Sequence, residues 1–382
     1  MKKRILALLL SCLMMVGLAA CGSPTPETPD TDPAATAPKS IPLADLKVGL
    51  VLVGETSEPY NANHIEGMNS AIEALKLSKD QVITKANISE DAGCETAIRE
   101  LVEAGCQIIF TNSFGHEQFL LAVAPDYPQI QFCSATGQKS GTDELANTHN
   151  YFAKIHEARY LAGITAGLKT KTNKLGYVAA KNFPEVISGF TAFYLGAKSV
   201  NPNVELFVNY TNEWSDAGKE STNAQALIDL GCDVIGQHSD TTAPATTAEA
   251  NGVWAVGYNA DMIPAAPKAA LVSARINWGV YYQYALDCVI NGKAIDQDWC
   301  KGFADNAVFL SPLNETVVAE GTKAAIDQAS GLLLDGSLHV FQGPLKDVEG
   351  KEVVAADTFY PESEKASAPS WDKIIEGINI LS

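Results

Sequence analysis

The chain has 382 residues with 45 acidic against 27 basic side chains, and its formal charge of −18 argues against nucleic acid and anionic lipid surfaces as partners. A hydrophobic content of 46% is enough for packed cores, and the roughly 335 residues from Lys47 onward suit two domains of ordinary size.

In chain order, Lys2, Lys3 and Arg4 precede an uncharged apolar run over 5–20. The run is shorter than the roughly 20 residues a spanning helix needs and ends in small residues, so it reads as a cleaved export signal. Leu18-Ala19-Ala20-Cys21 resembles the bacterial lipobox, in which cleavage before the cysteine leaves a thiol to carry lipid. Cys12 leaves with the signal. Removing three basic residues and no acids takes the charge from −18 to about −21. Residues 21–46 carry Pro24, Pro26, Pro29, Pro33 and Pro38 among Ser, Thr, Asp and Ala, a composition expected to form a disordered stalk on the order of 50 Å long.

The folded part contains an internal duplication. Lys47-Val48-Gly49-Leu50-Val51 recurs as Lys174-Leu175-Gly176-Tyr177-Val178, and 101–109 recurs as 227–235. The offsets are 176 − 49 = 127 and 231 − 105 = 126, so both matches keep one register and predict two halves of like topology. In the first half, strands are expected over 48–53, 81–85, 107–111 and 130–132, with helices over 63–75, 92–104 and 117–124. In the second, strands over 174–178, 204–208, 233–236 and 253–256 alternate with helices over 185–198, 217–230 and 242–250. This alternation predicts an α/β fold of parallel sheets covered on both faces. The expected boundaries are lobe 1 over 47–155 plus part of the C-terminal region, lobe 2 over 156–310, and crossover segments over 311–382 packing on both lobes. Trp254, opening a strand, is expected in the core.

Six cysteines remain beyond Cys21. Cys94 lies in the predicted helix over 92–104 and Cys106 just beyond its end, too far apart along the axis to bridge. No pair is spaced C-x-x-C. Buried free thiols are expected, with Cys288 and Cys300 left open as a pair.

Ligands of open parallel sheets sit beyond the carboxyl ends of the strands. After the first strand come Tyr60, Asn61 and His64. The third strand runs into Asn112-Ser113-Phe114, and its duplicate into His238-Ser239-Asp240, so the two loops are expected to face one another across a cleft. Phe183, Trp214, Tyr258, Asp261, Asn277 and Trp278 lie near further strand ends. Flat rings with amides and carboxylates suit a planar, uncharged heterocycle, gripped by stacking and read by edge hydrogen bonds; sugars use similar groups. His238-Ser239-Asp240 holds the residue types of a hydrolase triad, but neighbours on a strand end point in alternating directions, and no G-x-S-x-G elbow is present. His64, His116, His149, His156, His238 and His339 are dispersed without zinc spacing. Neither glycine-rich phosphate motif occurs. No catalytic residue, metal or cofactor is therefore assigned.

The lipobox, the Tyr60-Asn61 turn with His64-Ile65-Glu66-Gly67, the 231–240 strand end, Gly257-Tyr258-Asn259-Ala260-Asp261-Met262 and the 273–278 segment together resemble the basic membrane protein family, the purine-nucleoside-binding lipoproteins that feed ABC importers. The resemblance covers roughly 47–292. It implies a type I periplasmic-binding-protein fold closing by a hinge on a purine nucleoside or nucleobase. By position, Tyr60 looks like the family's stacking aromatic and Asn61 like its neighbouring polar contact. Asp240 resembles the acid that reads the base edge, and Asp261 the acid that meets ribose. Nucleoside-binding members carry a lysine after the strand that here ends at Ser273, whereas this chain has Asn277-Trp278. That segment and the His64-x-x-Gly67 turn look like the branch associated with free nucleobases such as adenine.

The expected function is therefore that of an extracytoplasmic solute-binding lipoprotein, a monomer held on the cell membrane through lipid on Cys21, delivering a purine to an ABC permease. The rival readings are a sugar-binding lipoprotein, a surface sensor or adhesin, and an anchored hydrolase.

Overall fold

The computed structural model describes residues 39–140 and 145–381. The signal, Cys21 and the stalk as far as residue 38 lie outside the described residues. The elements follow in order as β1 (Val48–Val51), α1 (Pro59–Leu75), β2 (Val82–Lys85), α2 (Ala92–Glu103), β3 (Ile108–Thr111), α3 (Glu117–Val123), β4 (Gln131–Ala135), β5 (Thr148–Ala153) and α4 (Ile155–Lys169). The second half repeats the alternation with β6 (Lys174–Ala179), α5 (Pro184–Val200), β7 (Glu205–Tyr210), α6 (Ala217–Asp229), β8 (Val234–Gln237), α7 (Ala243–Ala250), β9 (Trp254–Tyr258) and β10 (Ala270–Ile276). The chain then runs through α8 (Trp278–Asn291), β11 (Asp298–Lys301), β12 (Val308–Leu310), α9 (Thr322–Leu334), β13 (Leu345–Lys346), β14 (Glu352–Val354) and β15 (Ile378–Ile380).

Two sheets share one topology. The first is ordered β2-β1-β3-β4-β5-β11 and the second β7-β6-β8-β9-β10-β12, with β15 added outside β7. Within these two sheets all pairings are parallel except β10 with β12. These are the two lobes of a type I periplasmic-binding-protein fold. The duplicated residues perform the same tasks in each. Lys47 donates from Nζ to the Ala104 carbonyl at 3.0 Å and Lys174 to the Leu230 carbonyl at 3.2 Å, each satisfying the open carboxyl end of a helix. Gly105 and Gly231 follow with φ of 86° and 90°, where a side chain would be strained. Gly49 and Gly176 let the first strand of each sheet lie against Leu101 and Leu227 of the covering helix.

The chain crosses between lobes three times, at Lys154, at Asn277 and over 302–307. The crossovers run side by side. Lys154 N–H donates to the Lys301 carbonyl at 2.9 Å and Asn277 N–H to the Ala307 carbonyl at 2.8 Å, while Phe303 N–H donates to Glu157 Oε2 at 2.6 Å. The second crossing corrects the expected boundary of lobe 2: 278–301 return to lobe 1. There α8 buries Trp278, Tyr281, Tyr282 and Ala285 and packs on α1 at Gly67 and Gly279, and β11 extends the first sheet beside β5. The C-terminal tail touches both lobes, with Ser367 N–H donating to Asp298 Oδ2 at 2.9 Å and β15 pairing with β7.

One further expectation is revised. Trp254 is only half-buried: it packs against the core from its rim, with Lys169 and Lys171 over its ring at 4.4 and 5.4 Å. Cys288 and Cys300, left open as a pair, do not bridge: as expected, the six described cysteines are free, five of them buried and Cys300 half-buried. Among the described residues no helix is long and apolar enough to cross a membrane.

Candidate functional site

A cavity lies where the carboxyl ends of the two sheets meet. Lobe 1 supplies Val53 after β1, Tyr60 on α1, Asn112, Ser113 and Phe114 after β3, and Thr136 after β4. Lobe 2 supplies Glu185 at the start of α5, Trp214 after β7, His238 and Asp240 after β8, and Tyr258 at the end of β9. The space between its atoms amounts to about 370 Å³, part of it open to solvent. Tyr60 and Phe114 from one lobe and Trp214, His238 and Tyr258 from the other make it a slot between ring-bearing walls.

The lobe 1 wall is fixed by Asn112. Its Oδ1 accepts from Val53 N–H at 2.9 Å, its Nδ2 donates to Asn61 Oδ1 at 2.8 Å, and its carbonyl accepts from the Tyr60 hydroxyl at 2.5 Å. Pro59 opens α1 with its φ already set for a helix, so the Tyr60 ring is delivered from a rigid turn. Behind Tyr60, His64 packs edge-on at 4.7 Å. The lobe 2 wall is a run of rings: Trp214 lies 6.5 Å from His238, which lies 5.0 Å from Tyr258. The lobes touch around the slot, with Phe114 packing on Phe183 at 5.5 Å, Ser215 Oγ donating to Glu58 Oε1 at 3.1 Å and Arg275 Nη2 meeting Glu66 Oε2 at 2.6 Å. The cleft is closed.

Asp240 is the buried acid of the slot. Its Oδ1 accepts from Asn259 Nδ2 at 2.8 Å, and Asn259 is held in the left-handed region at φ 64° with its carbonyl accepting from Arg275 Nε at 2.8 Å. Burial, reinforced by Glu220, Glu185 and Glu58, raises the Asp240 carboxyl well above the usual range, against the pull of Arg159. Burial pushes Glu185 up to about 7, again opposed by Arg159. His238, whose Nε2 lies 3.4 Å from Glu185 Oε1, is held neutral by burial and by Arg159.

Glu185 lines the slot, so opening the cleft hydrates it and returns it toward an ordinary carboxylate; closure thus takes up a proton. The closed form is expected to be fully favoured below the ordinary carboxyl value and to lose that contribution as pH rises through about 7. Small-angle scattering of ligand-free protein should show a larger radius of gyration at alkaline than at mildly acidic pH, and Glu185→Gln should remove the difference. An identical pH response in the variant would rule Glu185 out as its source.

Of the residues singled out from sequence, the structure brings Tyr60, Asn112, Phe114, Trp214, Asp240 and Tyr258 to the cavity wall. Asn61 and Phe183 stand just behind it: Asn61 holds Asn112, and Phe183 packs on Phe114 and on Trp214 at 6.0 Å. Four others lie outside the lining. His64 is fully buried, stacked on Trp278 at 4.1 Å and bonded to the Tyr282 hydroxyl at 2.6 Å. Asn277 is spent on the hinge, its side chain donating to the Asn306 carbonyl at 3.1 Å. Asp261 accepts from Ile263 N–H at 3.0 Å in its own loop. Val53, Thr136 and Glu185 also line the cavity, and Ser113 and His238 join it from the two loops expected to face the cleft. Thr136 carried no sequence signal, though its φ of 58° is a strained value for a β-branched residue at a strand end. His238 does not contact Ser239 as a triad would require; its polar neighbour is Glu185.

Residues 46–333 match the family described as ABC transporter substrate-binding protein PnrA-like. The chain is 34% identical over 312 residues to a purine-binding protein of Brucella abortus, covering 81% of this chain and 87% of that one. It is 32% identical over 277 residues to a Haloferax volcanii protein provisionally described as the glucose-binding protein of an ABC transporter, covering 72% and 70%. It is 29% identical over 275 residues to an ABC transporter nucleoside-binding protein of Lactococcus lactis, covering 68% and 75%. Among solved structures, an ABC transporter solute-binding protein from Conexibacter woesei superposes with a TM-score of 0.63 at 22% identity, covering 77% of this chain and 98% of that one, a likeness of fold.

Proposed function

The chain belongs to the PnrA-like family of ABC transporter substrate-binding proteins, and from that premise we propose that its cargo is a purine, a free nucleobase such as adenine ahead of a nucleoside, bound in the slot between Tyr60 and Asp240. As a solute-binding component it works on the extracytoplasmic side and is not an enzyme. The observation that carries the purine reading is a cavity with aromatic walls from both lobes and a buried acidic side chain, Asp240, at its edge. Rings grip the faces of a planar base, Asp240 accepts from its N–H groups, and closure excludes the water that would compete. The free base is preferred because Asp261, which the resemblance would set against ribose, is engaged in its own loop, and the segment where a ribose-binding lysine would stand is Asn277-Trp278 in the hinge and core.

Binding and transport follow from the hinge. The three adjacent crossovers let the lobes close on a base as one motion, and the closed pair of lobes is what a permease would recognise. The Leu18-Ala19-Ala20-Cys21 box would place lipid on Cys21 and keep a monomeric binding protein near its transporter, raising its effective concentration. Cys21→Ser is expected to release the protein from the membrane fraction with its ligand affinity unchanged; retention on the membrane would remove the lipid anchor from this account.

The glucose-binding description of one relative makes sugar the second reading. Thermal shift against adenine, adenosine and glucose separates them, since a ligand at 100 times its dissociation constant adds about 2.7 kcal/mol. Tyr60→Ala is expected to weaken adenine binding by roughly 1–3 kcal/mol through lost stacking. A shift with glucose and none with either purine would overturn the proposal, and unchanged adenine affinity in Tyr60→Ala would demote Tyr60 to a packing residue.

A further inference from the structure

Arg275, next to the end of β10, stands outside the cavity lining and reaches both lobes with one guanidinium. In lobe 2 its Nε donates to the Asn259 carbonyl at 2.8 Å; on α1 of lobe 1 its Nη2 donates to Asn63 Oδ1 at 2.9 Å and to Glu66 Oε2 at 2.6 Å. Both ends of this bridge are fixed. Asn63 is almost fully buried and its Nδ2 donates to the Ile276 carbonyl at 2.9 Å, so α1 holds Arg275 and the residue after it. Asn259 is fully buried at a φ of 64°, its N–H donates to the Ala274 carbonyl at 3.1 Å, and its Nδ2 donates to Asp240 Oδ1 at 2.8 Å. Asparagine is among the few residues that tolerate the left-handed region, and a bond to its carbonyl keeps it there.

The bonds form one chain, from the helix that presents Tyr60 on one wall of the slot to the carboxyl group on the other: α1 to Arg275, Arg275 to the Asn259 backbone, and the Asn259 side chain to Asp240. We propose that Arg275 is a positioning residue of the cleft: by tying the Asn259 backbone to α1 it sets the direction from which Asn259 holds Asp240, and so aims that carboxyl at a ring lying against Tyr60. With Oδ1 engaged by Asn259, Oδ2 is the oxygen left to the slot, and its direction follows from that one bond. The role needs a forked cation. A guanidinium presents donors in a rigid plane and can meet the Asn259 carbonyl and the two acceptors of α1 together, whereas a lysine ammonium is a single point on a flexible stem. The consequence for the ligand rests on the reading of the slot as a purine site; the chain of bonds does not.

The test is a double-mutant cycle between Arg275→Gln and Asp240→Asn, read in two ways. By calorimetric titration with adenine, Arg275→Gln is expected to weaken binding about tenfold where Asp240 is present and less than about threefold in the Asp240→Asn chain, because residues joined through shared partners are not additive. Equal losses in both chains would make Arg275 a packing residue and overturn the proposal. The second reading needs no ligand. In proton–nitrogen NMR spectra, with the Asn259 side-chain amide assigned through Asn259→Ser, Asp240→Asn should displace that amide pair in the chain with Arg275 and leave it in place in Arg275→Gln, where the two side chains have come apart. Displacement of the same size in both chains overturns the proposal. Should Arg275→Gln fail to fold, Arg275→Lys takes its place with the same outcomes, since it keeps the charge and lacks the fork. Should adenine fail to bind the unmodified chain, the purine reading falls and the ligand-free spectra decide the role of Arg275 alone.

Discussion

Asp240→Asn should lower adenine affinity by about 100-fold, near 2.7 kcal/mol at about 1.4 kcal/mol per factor of ten, while raising the melting temperature of the ligand-free protein. The two effects come from one geometry. Asn259 Nδ2 already donates to Asp240 Oδ1 at 2.8 Å, so the asparagine keeps its oxygen there and turns its amide nitrogen to the ligand. An acceptor becomes a donor facing another donor, and a site built for hydrogen bonds loses strongly when its groups are left unpaired. The stability change follows from the raised Asp240 carboxyl. A group whose folded value lies above its unfolded one contributes stability fully below the unfolded value and loses it as pH rises through the folded value. At neutral pH the folded state must either protonate Asp240 or bury its charge, and either weighs against the fold; a neutral isostere relieves it. Isothermal calorimetry and thermal melts on the same sample check both. A variant that binds adenine normally, or that melts lower without losing affinity, would make Asp240 a structural residue.

Gly196→Ala is expected to destabilise the fold by about 3 kcal/mol or more, the upper range for overpacking. The helices α4 and α5 touch backbone to backbone: a Cβ at Gly196 would fall 1.9 Å from the Tyr160 carbonyl oxygen, and one at Gly163 would fall 2.0 Å from that of Phe193. Carbonyl oxygens inside a helix cannot turn away as a side chain can, so the helices must separate. These helices carry Arg159 and Glu185, so the variant should also lose affinity. Urea unfolding measures the first effect and calorimetry the second; a change in stability below about 1 kcal/mol would show that the helices can part freely.

The duplicated topology was legible because each repeated residue has a local task. Lys47 and Lys174 reach back to a helix end, Gly105 and Gly231 turn the chain, and Gly49 and Gly176 admit a covering leucine. Such tasks leave short-range patterns. The strand ends that face the slot followed from the same alternation, which is why Asn112 and Asp240 could be placed opposite one another. What sequence order hid was the path of the chain after β10. Trp278 looks like a ligand platform beside Asn277, but the crossing back to lobe 1 brings it under His64, 214 positions earlier in the chain, and the two stack on each other in the core. Glu185 reads as an ordinary first-turn acid of a helix. Its proximity to His238 and Arg159 is a product of three separate elements converging. Likewise, the loop of Asp261 matches a familial pattern in sequence, while its Oδ1 accepts from the Ile263 amide and the residue stands outside the cavity lining.

The most direct test of the purine assignment is to denature the purified protein and identify by mass spectrometry the small molecule it releases. The slot described here predicts a purine base, released from the unmodified chain and absent from Asp240→Asn. Recovery of a hexose from the unmodified chain, with no purine, would contradict it.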